Sequence, residues 1–328
     1  MYIELLSNLK NSRLEKWKKL LQNEGLSCDE KISYTVLIWD ENELAAAGSG
    51  YENILKCIAV NKSYQGLGLT ANVITELRKE AFGKGYNHLF LYTKPSNVEK
   101  FSSLFFYPVA HTDEILLMEN RANGIADFVN KLPHVSGCRK NGAIIMNCNP
   151  FTLGHRYLIE TASRECEQLF VFVVSEDKSY FSFNDRIEMV IRGTCDLNNV
   201  TVLSTGPYLI SSATFPTYFL KNRDDSEEIH CLLDIEIFAE YFAPKLSVTE
   251  RYIGTEPFSP LTDKYNGKLK EILPEKGINV KEIQRIEKNN QPISASCVRK
   301  LIEKKDISSL RDYIPDSTFD FLKEKGLI

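Results

Sequence analysis

The chain has 328 residues, more than one ordinary hydrophobic core organises, so two domains of roughly 130 to 190 residues are expected. A hydrophobic fraction of 43% with 26% charged and 11% aromatic residues excludes a fibre and long disorder. With 40 Lys and Arg against 44 Asp and Glu, the net charge of −4 excludes a global field for nucleic acid or an anionic membrane, so any anion is bound locally.

At the N-terminus, Leu14, Trp17 and Leu21 keep helical spacing, and residues 1–22 are expected to form an amphipathic surface helix rather than a signal sequence. Two strands follow around a turn at Asp40, Glu41 and Asn42, then a third at residues 53–60. Leu69, Val73, Leu77 and Phe82 change the period to that of a helix, which Gly83 and Gly85 stop. A strand at 88–93, a short helix from about Ser96 opened by a Ser cap, and a strand at 114–119 complete the first part.

Pro133, Gly137 and Gly142 among basic residues mark a boundary near 132–140, giving domains 1–135 and 136–328. Beyond it, strands near 143–148, 169–174, 200–203, 251–255 and 278–283 alternate with helical stretches at 155–167, 184–194, 234–243 and 264–272. That alternation predicts an α/β fold with a mostly parallel sheet covered on both faces. The C-terminal stretch reads as helical with breaks at Asp306 and Pro315. No apolar run approaches the ~20 residues of a membrane span, and the eight cysteines show no C-x-x-C pair, so a cytoplasmic protein with reduced thiols is expected.

The chemistry concentrates at strand-to-helix turns. In the run Asn147-Cys148-Asn149-Pro150-Phe151-Thr152-Leu153-Gly154-His155, a helix N-terminus offers unpaired N–H groups and a partial positive charge, as phosphate binding requires. Gly154 lets the backbone come close, His155 can donate to a phosphoryl oxygen, and Thr152 supplies a hydroxyl. The plainer reading is a His that caps its helix. Cys148 beside this run invites a covalent enzyme intermediate, but a small buried residue explains it more simply.

The stretch from Asn149 to His155 resembles the T/H-x-G-H signature of the nucleotidyltransferase superfamily. Residues 293–299, Ile-Ser-Ala-Ser-Cys-Val-Arg, are similar to its I-S-S-T-x-I/V-R motif, and Lys178 to Arg186 resembles its K-x-x-F-S/T-x-x-x-R stretch. The resemblance implies a Rossmann-like ATP site built by Asn147, Asn149, Phe151, Gly154, His155, Gly254, Thr255, Glu256, Ser294, Ser296 and Arg299, with His155, Thr152, Lys178 and Arg299 in catalytic roles. Glu256 would contact the ribose or a metal-bound water, Arg186 has the alternative of pairing with Asp185 or Glu188, and Mg²⁺ is expected with ATP, its ligands unassigned.

In the first domain, Gln65-Gly66-Leu67-Gly68-Leu69-Thr70 lies between a strand and a helix and resembles the Q/R-x-x-G-x-G/A loop of the GNAT acetyltransferases. This implies an α+β GNAT-like fold in which Gln65, Gly66, Gly68 and Thr70 hold the diphosphate of a coenzyme A-like arm. No general base is evident in this half.

The two modules in this order resemble the citrate lyase ligase family over nearly the whole chain. The resemblance implies an AMP-forming acid–thiol ligase that takes ATP and acetate, passes through an acetyl-adenylate, releases pyrophosphate, and acetylates the thiol on the dephospho-coenzyme A-type prosthetic group of the citrate lyase acyl carrier subunit. Two alternatives stay open at this point: a mononucleotide adenylyltransferase with an accessory GNAT-like domain, and a non-catalytic sensor of acyl-coenzyme A and ATP.

Overall fold

A computed structural model describes the chain apart from residues 30, 135–139, 177–178, 210–225, 258 and 289–290. It divides into two compact units, the first taking Met1–Ile125 with the described part of Thr214–Glu236, the second Ala126–Ala213 with Ile237–Ile328. The expected boundary at 135/136 lies outside the described residues.

The first unit carries a seven-stranded sheet with strands β1 (Tyr2–Leu6), β2 (Tyr34–Asp40), β3 (Glu43–Tyr51), β4 (Ile54–Val60), β5 (Phe90–Thr93), β6 (Tyr107–His111) and β7 (Leu116–Glu119), in the order β1-β2-β3-β4-β5-β7-β6. Helix α1 (Asn11–Asn23) and helix α2 (Leu69–Gly83) each bury one stripe, Trp17, Leu20 and Leu21 from the first and Val73, Ile74, Leu77 and Ala81 from the second.

Two expectations need correction here. Residues 2–6 form an edge strand antiparallel to β2 rather than the start of the first helix, because Tyr2 to Leu6 can pair with Thr35 to Trp39. The short helix α3 (Val98–Ser102) follows a 3₁₀ turn at Pro95–Asn97 and has Asn97 at its N-cap without a side-chain cap bond, so no Ser caps it. Strand β6 carried no sequence signal of its own, since Pro108 interrupts its pattern.

One feature of this sheet shapes its function. Strands β4 and β5 are parallel but pair only at Ile54–Phe90 and Leu55–Leu91. The rest of β4 diverges from β5, and the N-terminus of α2 enters beside the opening.

The second unit contains β8 (Asn141–Met146), β9 (Gln168–Val173), β10 (Val200–Ser204), β11 (Val248–Gly254) and β12 (Asn279–Ile283), all parallel, in the order β10-β9-β8-β11-β12. A two-stranded hairpin, β13 (Glu287–Lys288) and β14 (Gln291–Pro292), follows β12. The remaining helices of the chain are, in order, α4 (Gly124–Asn130), α5 (Leu153–Ser163), α6 (Phe183–Thr194), α7 (Ser226–Ile237), α8 (Ala243–Lys245), α9 (Pro260–Ile272), α10 (Ala295–Glu303), α11 (Ile307–Leu310) and α12 (Asp316–Glu324). The breaks at Asp306 and Pro315 fall where expected.

Ile144, Val171, Tyr252, Met189 and Val298 share one core, so the central strands and the helices beside them are held by apolar burial. The strand order reverses between β8 and β11. That switch point leaves a crevice beyond the strands' C-terminal ends, where open parallel sheets bind ligands.

Candidate active site

A cleft of about 340 Å³ opens at this switch point, lined by the ends of β8 and β11 and by the first turns of α5 and α10. Asn147, Thr152, Gly154, His155, Gly254, Glu256 and Ser294 all line it. Two helix N-termini therefore face one space. They can approach because Gly154 has no side chain: a Cβ there would stand 3.1 Å from the Ile293 carbonyl oxygen. Ser294 caps α10, its Oγ accepting from Cys297 N at 3.2 Å.

The first turn of α5 is closed by a reciprocal cap. Thr152 Oγ1 accepts from His155 N at 3.3 Å, while Nδ1 of His155 accepts from Thr152 N at 3.0 Å. Because Nδ1 is an acceptor, the 2.9 Å contact with Thr152 Oγ1 has the hydroxyl as donor. The neutral ring carries its proton on Nε2. Burial first, and then the positive charge of Arg285, push the His155 pKa down to about 4. The capping role and the phosphate-donor role thus use opposite nitrogens and do not compete.

Phe151, assigned to the ATP site from sequence, is 0% exposed; its ring stacks on the imidazole at 6.0 Å between centroids and 14°. It braces His155 from behind. Cys148 is 1% exposed and burial pushes its thiol pKa up, which leaves no accessible thiolate for a covalent intermediate.

Asn149, Thr255, Ser296 and Arg299 are not among the residues that line the cleft, and Ser296 is exposed. Arg299 donates to Asn149 O at 2.5 Å and to Ser296 Oγ at 3.0 Å, tying α10 to the turn before α5. Lys178 lies outside the described residues. Arg186 pairs differently from the expected acidic neighbours: Asp185 meets Lys325 and Glu188 meets Arg192. The Arg186 guanidinium, 0% exposed, instead donates to the carbonyls of Asn147, Val174, Glu176 and Phe181 and to Asn147 Oδ1, gathering the ends of β8 and β9 with the start of α6.

The sequence reading missed Arg285, which lines the cleft just past β12. Its only signal was position, since the residue after a parallel strand's C-terminal end is where ligand-binding side chains stand. Tyr265 and Asn266 of α9 also line the cleft, and Asn266 Nδ2 donates to Gly254 O at 3.0 Å. Among the described residues, no group of three or more His, Cys, Asp or Glu side chains is arranged to hold a metal, and no helix is long and apolar enough to cross a membrane.

In the first unit, Gln65, Gly66, Gly68 and Thr70 line a second cavity of about 560 Å³ in the opening beside β4, together with Thr93, Lys94, Asn97 and Lys100. Gly66 and Gly68 have φ of 85° and 73°, the left-handed region, and Gly68 is the N-cap of α2 without a side chain to satisfy the first amides. The start of α2 borders this cavity, the kind of place where a helix N-terminus can hold an anion.

Residues 141–322 match the family model described as Citrate lyase ligase C-terminal domain, and residues 3–100 match the Acetyltransferase (GNAT) family. The chain is 40% identical over 318 residues to a citrate (pro-3S)-lyase ligase of Klebsiella pneumoniae, covering 95% of this chain and 93% of that one. It is 38% identical over 335 residues to the Haemophilus influenzae protein of the same name, covering 99% of each, and 36% identical over 322 residues to that of Escherichia coli, covering 95% and 91%.

Proposed function

The chain belongs to the citrate lyase ligase family, and from that membership we propose how its parts divide one reaction. It is a ligase that uses ATP and acetate to acetylate the acyl carrier protein of citrate lyase. A carboxylate is too poor an acyl donor to acylate a thiol and must first gain a leaving group. In the second domain, an acetate oxygen attacks the α-phosphorus of ATP and pyrophosphate departs, giving acetyl-adenylate. The carrier thiolate then attacks the acyl carbon and AMP leaves.

Phosphoryl chemistry of this kind needs alignment and charge neutralisation more than covalent help. The neutral His155 donates from Nε2 to a phosphoryl oxygen, and the first-turn amides of α5 and α10 receive the phosphates. Ser294 contributes at the second terminus; Arg299, Ser296, Asn149 and Phe151 hold these groups in place. Mg²⁺ would enter with ATP and would supply charge neutralisation on the phosphates. The loop Gln65–Thr70 binds the diphosphate of the carrier's prosthetic arm. We keep the division into residues 1–135 and 136–328 and place the reaction in the cytoplasm, where ATP and reduced thiols coexist.

The observation that carries this reading is the convergence of His155 and two helix N-termini on one cleft at the switch point. ATP–pyrophosphate exchange tests it: exchange requires acetate and no phosphorylated acceptor, and His155→Ala abolishes it. Near-normal exchange in that variant removes the assigned role. No observation favours the adenylyltransferase or sensor alternatives.

A further inference from the structure

Gly254, Thr255 and Glu256 stand in sequence where a nucleotide contact is expected, yet Thr255 and Glu256 both bond Arg285. Thr255 Oγ1 accepts from Arg285 N at 3.1 Å and fixes the arginine's backbone. Gly254 lies beside the arginine stem, where a Cβ would make only ordinary contact with Arg285 Nε at 3.9 Å and Cγ at 4.0 Å, so the stem's path does not depend on the glycine. Glu256 Oε2 takes Arg285 Nη2 at 2.5 Å, and its other oxygen accepts from Ser259 N at 3.2 Å, so the carboxylate is itself held. The pairing of β11 with β12 through Gly254 and Ile283 sets these contacts in register.

The structure assigns to Thr255 and Glu256 the task of cradling Arg285, and to Arg285 the task of meeting the triphosphate, so that Glu256 acts through the arginine and not on the ribose. This deepens the reading of the ATP cleft given above and rests on it. Among the described residues two arginines line the cleft, and their burial separates them. Arg251 is 2% exposed with its guanidinium 4.8 Å from the Phe238 ring centroid, whereas the Arg285 side chain is 29% exposed and opens to the cleft. The Glu256 carboxylate is 9% exposed and occupies one face of the fork, leaving the remaining N–H donors of a rigid, always charged group for phosphate oxygens. Arg285 and His155 line the same cleft, so both face one ligand space.

Calorimetric titration of the full chain with MgATP tests the assignment, beside thermal melting and NMR titration of His155. Arg285→Gln is expected to weaken ATP binding roughly ten- to a hundredfold, the value of charge-assisted hydrogen bonds, with the melting temperature moved by only about 2 °C. Arg285→Lys retains part of the affinity, and the His155 pKa rises in the glutamine variant without any ligand. Glu256→Gln weakens binding less than Arg285→Gln does, and the double variant is no worse than Arg285→Gln alone.

Binding within about twofold of the parent in Arg285→Gln overturns the assignment, as does a Glu256→Gln loss that adds in full to the arginine's. A parent chain that binds no ATP overturns both this inference and the ATP-cleft reading. Parental ATP binding without acetate-dependent exchange removes only the reaction proposed.

Discussion

The backbone N–H of Thr152 donates to Nδ1 of His155 at 3.0 Å, and this one bond decides which face of the imidazole can serve a substrate. It leaves Nε2 as the protonated nitrogen. The ring is also kept neutral, because its pKa is pushed down to about 4.

The pH dependence follows from that direction. An imidazole whose folded pKa lies below its unfolded value binds protons more readily in the unfolded chain, so its contribution to stability is complete above about pH 6.5 and declines as pH falls toward about 4. Exchange activity assigned to neutral His155 should be flat in this group through the neutral range and fall only toward that lower limit. NMR titration of the ring checks both; an apparent pKa near 6.5 refutes the neutral, desolvated ring.

Gly193→Ala is expected to damage the site from beneath. A Cβ at residue 193 would lie 2.3 Å from Phe151 Cε1, and the ring that would have to move is the one stacked on His155. Overpacking of this kind costs about 1–3 kcal/mol. Denaturant melts should show that loss, and exchange should fall with it, although residue 193 touches no ligand.

In the first unit, Gly66→Leu separates loop function from adenylate chemistry. A Cβ at residue 66 would meet no atom within 4 Å, so space is not the obstacle; the φ of 85° is, at roughly 1–2 kcal/mol for an L-residue. The KM for the carrier thiol should rise about tenfold or more while acetate-dependent exchange is retained. An unchanged KM for the carrier removes the loop's assignment to its arm.

Lys56 on β4 is 2% exposed and paired with Asp29 at 3.0 Å, itself only 11% exposed. Replacing the lysine by Met leaves the carboxylate buried without its countercharge, which destabilises by about 3–5 kcal/mol. Chemical denaturation of Lys56→Met against Lys56→Met/Asp29→Leu should show the double variant recovering part of the loss.

Helix periods at 69–82 and 184–194, the alternating strands of the second half and the breaks at Asp306 and Pro315 were legible because each is a local pattern of burial or a local stop. The turn glycines were legible for the same reason, whereas the plainer reading gave the cap of α5 to His155 alone and the structure shares it with Thr152. Strand β1 was not legible, since five residues of mixed polarity become a strand only when β2 supplies hydrogen-bond partners. The partners of Arg186 were not legible for a related reason: Asp185 and Glu188 are its neighbours along the chain, but folding turns its guanidinium inward to carbonyls from four separate positions.

By itself the sequence determined the parallel α/β alternation of the second half and the turns that open α5 and α10, because those depend on side-chain period, glycine freedom and capping within a few residues, while the fold type of the first unit came from its resemblance to the GNAT acetyltransferases. Only the tertiary structure decided that Arg285 joins His155 in one cleft and that Glu256 faces the arginine. Those residues lie 29 or more positions apart and meet through the pairing of β11 with β12, and the free energy that fixes such a meeting comes from burying whole strands, not from any local pattern.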